Sequence, residues 1–272
     1  MSAVVRVGLT LPSFRDEIVP LLDVAEAAEA AALDAVFAYD HLFRYGSDGA
    51  VRPALELGAV LGALAAGTSR IAIGALVARA TLRPPAVLAN EFDTARRIAG
   101  DRVIAGIGAG DEESRDEMVT FGYEFGDLPS RLAALDAAVD AVAATGVPVW
   151  VGGNPRFVAG AARRAGAWNR WGGDAPAFAA GRTMITAAAR DAGVLATWGG
   201  LCVLDASDDA AAAKAVRLGA GPRTLVGGPA TVAAALRAYV DAGADWIVLG
   251  PIDSSDPANA PLVGEVRARL AG

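Results

Sequence analysis

Eight short apolar runs alternate with Ala-rich helical stretches, and this alternation constrains the fold more than any other feature of the chain. The runs fall at residues 4–11, 35–39, 70–77, 102–107, 147–151, 168–171, 197–204 and 245–249. Most are continuously apolar rather than alternating, the pattern of strands buried on both faces. Helical stretches lie at 19–32, 54–66, 86–99, 131–144, 156–165, 176–192, 210–218 and 229–242. Such alternation builds a parallel sheet with helices outside it. Eight units in 272 residues fit a closed (β/α)8 TIM barrel better than an open doubly wound sheet. The 131–144 helix is one more than the count requires and reads as accessory. With no repeat, low-complexity tract or linker, residues 1–272 read as a single domain.

Composition narrows the function. Hydrophobic residues make up 54% and charged ones 20%, which excludes disorder and supplies one large core. A net charge of −7 argues against a nucleic-acid partner. One cysteine, Cys202, and one histidine, His41, leave no intramolecular disulfide and no zinc site of paired histidines or clustered thiolates. The start of the chain lacks a signal-peptide pattern, and apolar runs fall short of the ~18 residues a membrane span needs. A cytoplasmic protein with no membrane partner is expected.

In barrels of this kind the chemistry sits at the C-terminal ends of the strands. The second strand ends in Asp40-His41, an acid beside the only imidazole, the best proton-exchanging group available. The fourth ends in Gly106-Ile107-Gly108-Ala109-Gly110-Asp111, followed by Glu112, Glu113 and Ser114. A dinucleotide fingerprint fails there, because its third glycine would fall on Asp111. The acids suit a helix N-terminus, and the alternating glycines would let something flat approach the backbone. After the fifth strand, Gly152-Gly153-Asn154-Pro155-Arg156 reads equally well as a helix cap or as a phosphate cradle. At Gly227-Gly228-Pro229-Ala230-Thr231 the same two readings are open, with capping favoured over anion binding. Trp168 and Trp171 flank the sixth strand, where a ligand-facing wall and core packing are both open.

The ordered segments DHLF, SRIAIGALV, LRPPAVLANEFDTARRIAGDRVIAGIGAGD, PVWVGGNP, GAWNRWGG and LVGGPATVAAALRAYVDAGAD resemble the bacterial luciferase-like flavin and deazaflavin oxidoreductases. The likeness spans nearly the whole chain and is nearest to the F420-dependent branch. It implies a (β/α)8 barrel binding coenzyme F420, with FMN as the alternative. It also implies a small-molecule substrate and a homodimer. By this resemblance His41 and Asp111 are catalytic. Asp40, Leu76, Val77, Gly108, Ala109, Gly110, Ser114, Gly152, Gly153, Asn154, Trp171 and Gly172 contact the cofactor, with a non-proline cis peptide at Leu76-Val77. Three departures stand out: Arg83-Pro84-Pro85 where relatives carry Arg-His-Pro, Asp111 where sugar dehydrogenases carry Glu, and a shortened insertion between residues 180 and 204. The leading expectation is hydride transfer between F420 and a small organic substrate, with His41 exchanging the proton. The alternatives are an FMN-dependent monooxygenase and a barrel that binds such a ligand without turnover.

Overall fold

The computed structural model describes residues 4–14, 17–46, 49–190 and 193–272. Its strands in chain order are β1 (Arg6–Thr10), β2 (Ala35–Ala38), β3 (Phe43–Tyr45), β4 (Val51–Pro53), β5 (Ala72–Arg79) and β6 (Val103–Gly108). They continue with β7 (Val149–Gly152), β8 (Ala167–Trp171), β9 (Leu195–Leu204), β10 (Leu225–Gly227) and β11 (Trp246–Pro251). Eight of these form a closed parallel ring in the order β1-β2-β5-β6-β7-β8-β9-β11. Closure is made by β9, which pairs on one side with β8 (Trp171 opposite Gly199) and on the other with β11 (Ile247 opposite Trp198). The fold is the expected TIM barrel, and all eight expected runs are its strands.

The helices are α1 (Val19–Ala30), α2 (Leu57–Gly67), α3 (Pro85–Ala99), α4 (Arg115–Thr120) and α5 (Leu128–Ala143). Then come α6 (Pro155–Ala162), α7 (Ala175–Ala189), α8 (Asp208–Leu218), α9 (Pro229–Asp241) and α10 (Asn259–Ala271). Caps explain several starts: Asp127, Asn154, Asp174 and Ser207 each accept a backbone N–H from the first turn of their helix. The helix expected to be accessory, α5, is the regular helix of the fourth unit. The surplus lies in the seventh, where α8 and β10 precede α9, and β10 pairs with the upper end of β9. The antiparallel β3–β4 hairpin, β10, α4 and α10 went unread. The three strands are three residues each, and α4 is six residues with few apolar ones. The helix expected over 176–192 ends at Ala189; positions 191 and 192, like positions 1–3 of the N-terminal stretch, lie outside the described residues. No described helix is long and apolar enough to cross a membrane.

Apolar side chains fill two places. One is the shell between ring and helices, with Leu9, Leu61, Ile73, Phe92, Leu236 and Val263. The other is the lumen, where Phe37, Trp150 and Trp246 meet at ring separations of 5.2 and 5.1 Å beside Leu76, Ile104 and Val248. That packing leaves the C-terminal mouth as the open end for a ligand.

Strand β5 breaks register between Ala75 and Ala78, and its Leu76-Val77 peptide is cis, as the resemblance implies. The bulge turns Val77 sideways into β6 and β7. A Cβ added at Gly108 or Gly152 would lie 2.6 or 2.7 Å from a Val77 methyl, and one at Gly106 would collide with the Ala75 carbonyl oxygen. Gly108 and Gly152 therefore make room for the Val77 isopropyl group, and Gly106 makes room for the close approach of the Ala75 backbone. Gly108→Ala should lower unfolding free energy by about 1–3 kcal/mol through overpacking. Urea unfolding should show Val77→Ala offsetting part of that loss in the double variant, whereas strictly additive losses would mean that the two residues do not compete for space.

Candidate active site at the barrel mouth

His41 follows β2 and is 34% exposed at the mouth, while its partner Glu117, on α4, is only 4% exposed. The Glu117 Oε1 lies 2.8 Å from His41 Nδ1 and 2.5 Å from Arg79 Nη2. The backbone N–H groups of Leu42 and Phe43 donate to Oε2 at 2.7 and 3.4 Å. Burial by itself raises the Glu117 carboxyl. Hydrogen bonds from His41, Arg79 and Leu42 outweigh it and hold the group at about 2, against an ordinary 4.5. Neither Glu117 nor Arg79 was singled out from sequence.

Asp40 points elsewhere. Arg83 grips it with two N–H groups, at 2.8 Å to Oδ2 and 3.1 Å to Oδ1, and the Arg79 amide donates to Oδ2 at 2.8 Å. This ties the end of β2 to the end of β5. Arg83 also reaches Glu56 at 3.1 Å and Glu91 at 2.8 Å. Burial opposes its charge, but the bond to Asp40 and the surrounding carboxylates raise its pKa. Burial pushes Glu91 up to about 7 against the pull of Arg83, with Glu56 and Asp40 adding to the rise. The Arg83-Pro84-Pro85 segment thus anchors a charge cluster and starts α3.

The segment after β6 turns at Gly110, whose φ of +74° suits glycine, with the Arg79 side chain packed beside it. Asp111 caps the 3-10 turn Glu112–Ser114, and the Ser114 hydroxyl donates to its Oδ1 at 2.8 Å. The two expected catalytic groups therefore have different partners: Asp111 holds Ser114, and Glu117 holds His41. Ala109 is buried between Gly108 and Gly110.

Gly152 receives Val77, Gly153 has φ +139° and accepts the Trp168 indole N–H at 3.0 Å, and Asn154 caps α6 through the Arg156 amide at 3.1 Å. At the other Gly-Gly segment, Asp208 accepts from the Gly228 amide at 2.7 Å and the Thr231 hydroxyl at 2.8 Å, so a protein carboxylate already occupies the start of α9. The tryptophans divide. Trp168 is fully buried and stacks on Phe178, whereas Trp171 is 38% exposed at the mouth. Trp171 lies across the Cβ-less positions Gly199 and Gly250 and meets Tyr39 edge-on at 6.3 Å. Gly172, at φ +69°, closes β8 by donating to the Gly199 carbonyl at 2.7 Å. Burial drives the Tyr39 phenol up to about 12 against a hydrogen bond with Thr10, so it is protonated at neutral pH. Phe14 covers the His41 ring at 5.1 Å.

A closed (β/α)8 barrel with a bulged third ring strand and an acid–histidine mouth is the architecture these residues define. A sequence profile of the luciferase-like monooxygenase family matches residues 2–145, and the chain belongs to that family. An F420-dependent glucose-6-phosphate dehydrogenase of Microbacterium testaceum is 40% identical over 121 residues, 44% of this chain and 34% of that protein. The matched stretch is thus about a third of that relative's length. Among solved structures, an F420-dependent secondary alcohol dehydrogenase with an F420–acetone adduct superposes with a TM-score of 0.83 at 17% identity, covering 98% of this chain and 99% of that one. The monooxygenase RslO1 from Streptomyces bottropensis gives 0.77 at 16% identity over 96% and 98%. At such identities the structures share the fold.

The acid sensitivity of the Glu117 cluster has a definite sign. A carboxyl depressed to about 2 when folded contributes stability that is full above its unfolded value near 4.5 and lost as pH falls through 2. Urea midpoints of wild type and Glu117→Gln should therefore differ most at pH 6, with the gap narrowing steadily as pH falls from 4.5 towards 2. A gap independent of pH would show that Glu117 is not ionised in the fold.

Proposed function

We propose that this chain is an oxidoreductase that uses a deazaflavin coenzyme of the F420 type to move a hydride to or from a small organic substrate. The supporting observation is the single imidazole of the chain, half-exposed at the mouth beside the bulged β5 and backed by a buried carboxylate. The F420-dependent names of both the partial relative and the superposed dehydrogenase agree with it.

The residues present suit such a ligand. The Gly152-Gly153 backbone and the start of α6, with exposed Arg156 nearby, suit a phosphodiester. Val77 and Leu76 on β5 would back a flat ring, and Trp171 would wall it, with Gly108, Ala109, Gly110, Asp111 and Ser114 bordering the mouth on the β6 side. When bound, the coenzyme supplies the hydride donor or acceptor carbon. His41 takes up the proton released when a substrate hydroxyl becomes a carbonyl, and returns it in the reverse direction. Asp40 acts through Arg83 and Arg79 to hold the β2 and β5 ends together, and the Trp171–Tyr39–Phe14 wall keeps water from the reacting carbon. A homodimer remains the expected assembly from the resemblance.

Titration with F420 and separately with FMN, followed by tryptophan emission, should show F420 binding much more tightly, with quenching through Trp171. Equal or tighter FMN binding would favour the monooxygenase reading. With F420 and a panel of small alcohols and carbonyl compounds, His41→Ala should keep coenzyme affinity within a few-fold. Its turnover should fall by about 10²–10⁴, the scale of general acid–base catalysis. Full turnover in that variant would remove His41 from the mechanism, and binding without turnover of any substrate would favour the non-catalytic barrel.

A further inference from the structure

We infer that Glu117 is a positioning residue for His41: it accepts the Nδ1–H bond and so leaves Nε2 as the nitrogen that exchanges protons. The inference rests on the catalytic reading of His41 above, but its geometry is independent of which coenzyme binds. Every polar contact that the described residues make to the Glu117 carboxylate comes from a nitrogen: the Leu42 and Phe43 amides, Arg79 Nη2 and His41 Nδ1. An ionised carboxylate can only accept. The 2.8 Å contact to His41 is therefore a hydrogen bond only if Nδ1 carries the hydrogen.

Arg79 is the rival partner, because its Nη2 lies 2.6 Å from the same Nδ1. It also lies 3.3 Å from Nε2. A donor on the Nδ1 lone-pair axis would be much farther from Nε2, on the opposite side of the ring. The guanidinium thus sits beside the ring rather than in line with the Nδ1 lone pair, and its N–H is directed to Glu117 Oε1. Arg79 serves the arrangement by holding the carboxylate, and its amide bond to Asp40 fixes where it stands.

The consequence is a proton cycle without rearrangement. In the neutral ring Nδ1–H faces Glu117, and in the protonated ring it still does, so only Nε2 changes state. The buried negative charge also offsets the imidazolium that forms beside Arg79. In Glu117→Gln the amide must turn an NH2 group toward one of two sets of donors, so the Nδ1–H form loses its exclusive acceptor.

His41 is the only histidine, so ¹⁵N-labelled protein without coenzyme reports its tautomer with no assignment problem. Long-range ¹H–¹⁵N correlation of the neutral ring should show a protonated Nδ1 and a bare Nε2. Glu117→Gln should shift the ring toward the Nε2–H form. It should also lower turnover of the best substrate by about 10–100-fold, the scale on which groups orienting a histidine act, with coenzyme affinity within threefold. An Nε2–H tautomer in the wild type overturns the proposal without any variant. So does a Glu117→Gln protein with wild-type tautomer, or with altered tautomer and wild-type turnover. Failure of F420 to bind would sink the coenzyme reading and leave the tautomer result standing.

Discussion

The isopropyl group of Val77 lies in a notch made by two absent side chains, those of Gly108 and Gly152. Much of the mouth depends on that fit. The bulge breaks the two-residue alternation of β5, so the strand ends with Arg79 opposite Gly108 rather than where a regular strand would leave it. From there the Arg79 amide reaches Asp40 and its guanidinium reaches Glu117. A larger residue at either glycine would press on Val77 and, through it, on the Arg79 backbone hydrogen bond to Asp40 and the Arg79–Glu117 ion pair.

Charge at the mouth is organised around two arginines with separate tasks, the half-buried Arg83 and the buried Arg79. Arg83 collects Asp40, Glu56 and Glu91 on the outer side of the strand ends, where it locks α2, α3 and β2 together. Arg79 works on the inner side, with Glu117 and His41. Removing one partner of the Arg79–Glu117 pair would leave an uncompensated buried charge. The acid of the Asp-His pair therefore braces the scaffold, while the histidine takes its carboxylate from an element 76 residues later.

The same logic separates the two Gly-Gly helix starts. Both present backbone N–H groups at a helix N-terminus, where negative charge is stabilised. At α9 the chain supplies that charge itself through Asp208. At α6 the cap is a neutral asparagine with an arginine beside it, which keeps the position compatible with an external anion.

What the amino-acid order determined was the ring. Continuous apolar runs separated by helical stretches admit few arrangements, and all eight barrel strands and the strand-end position of His41 were legible in it, whereas the Leu76-Val77 cis peptide was implied only by the family resemblance. The count went astray where local signals are weak: β10 is three residues long, so the surplus helix was placed at α5 instead of α8. Pairing across the mouth was decided by the tertiary structure alone. What the alternating glycines of β6 meet depends on which neighbouring strand bulges toward them: the Ala75 carbonyl at Gly106 and the Val77 side chain at Gly108. That Glu117, and not Asp111, backs His41 depends on how α4 folds over the end of β2. Both outcomes are contacts between residues distant in sequence, set by packing and by the need of each buried charge for a partner, and no local pattern encodes them.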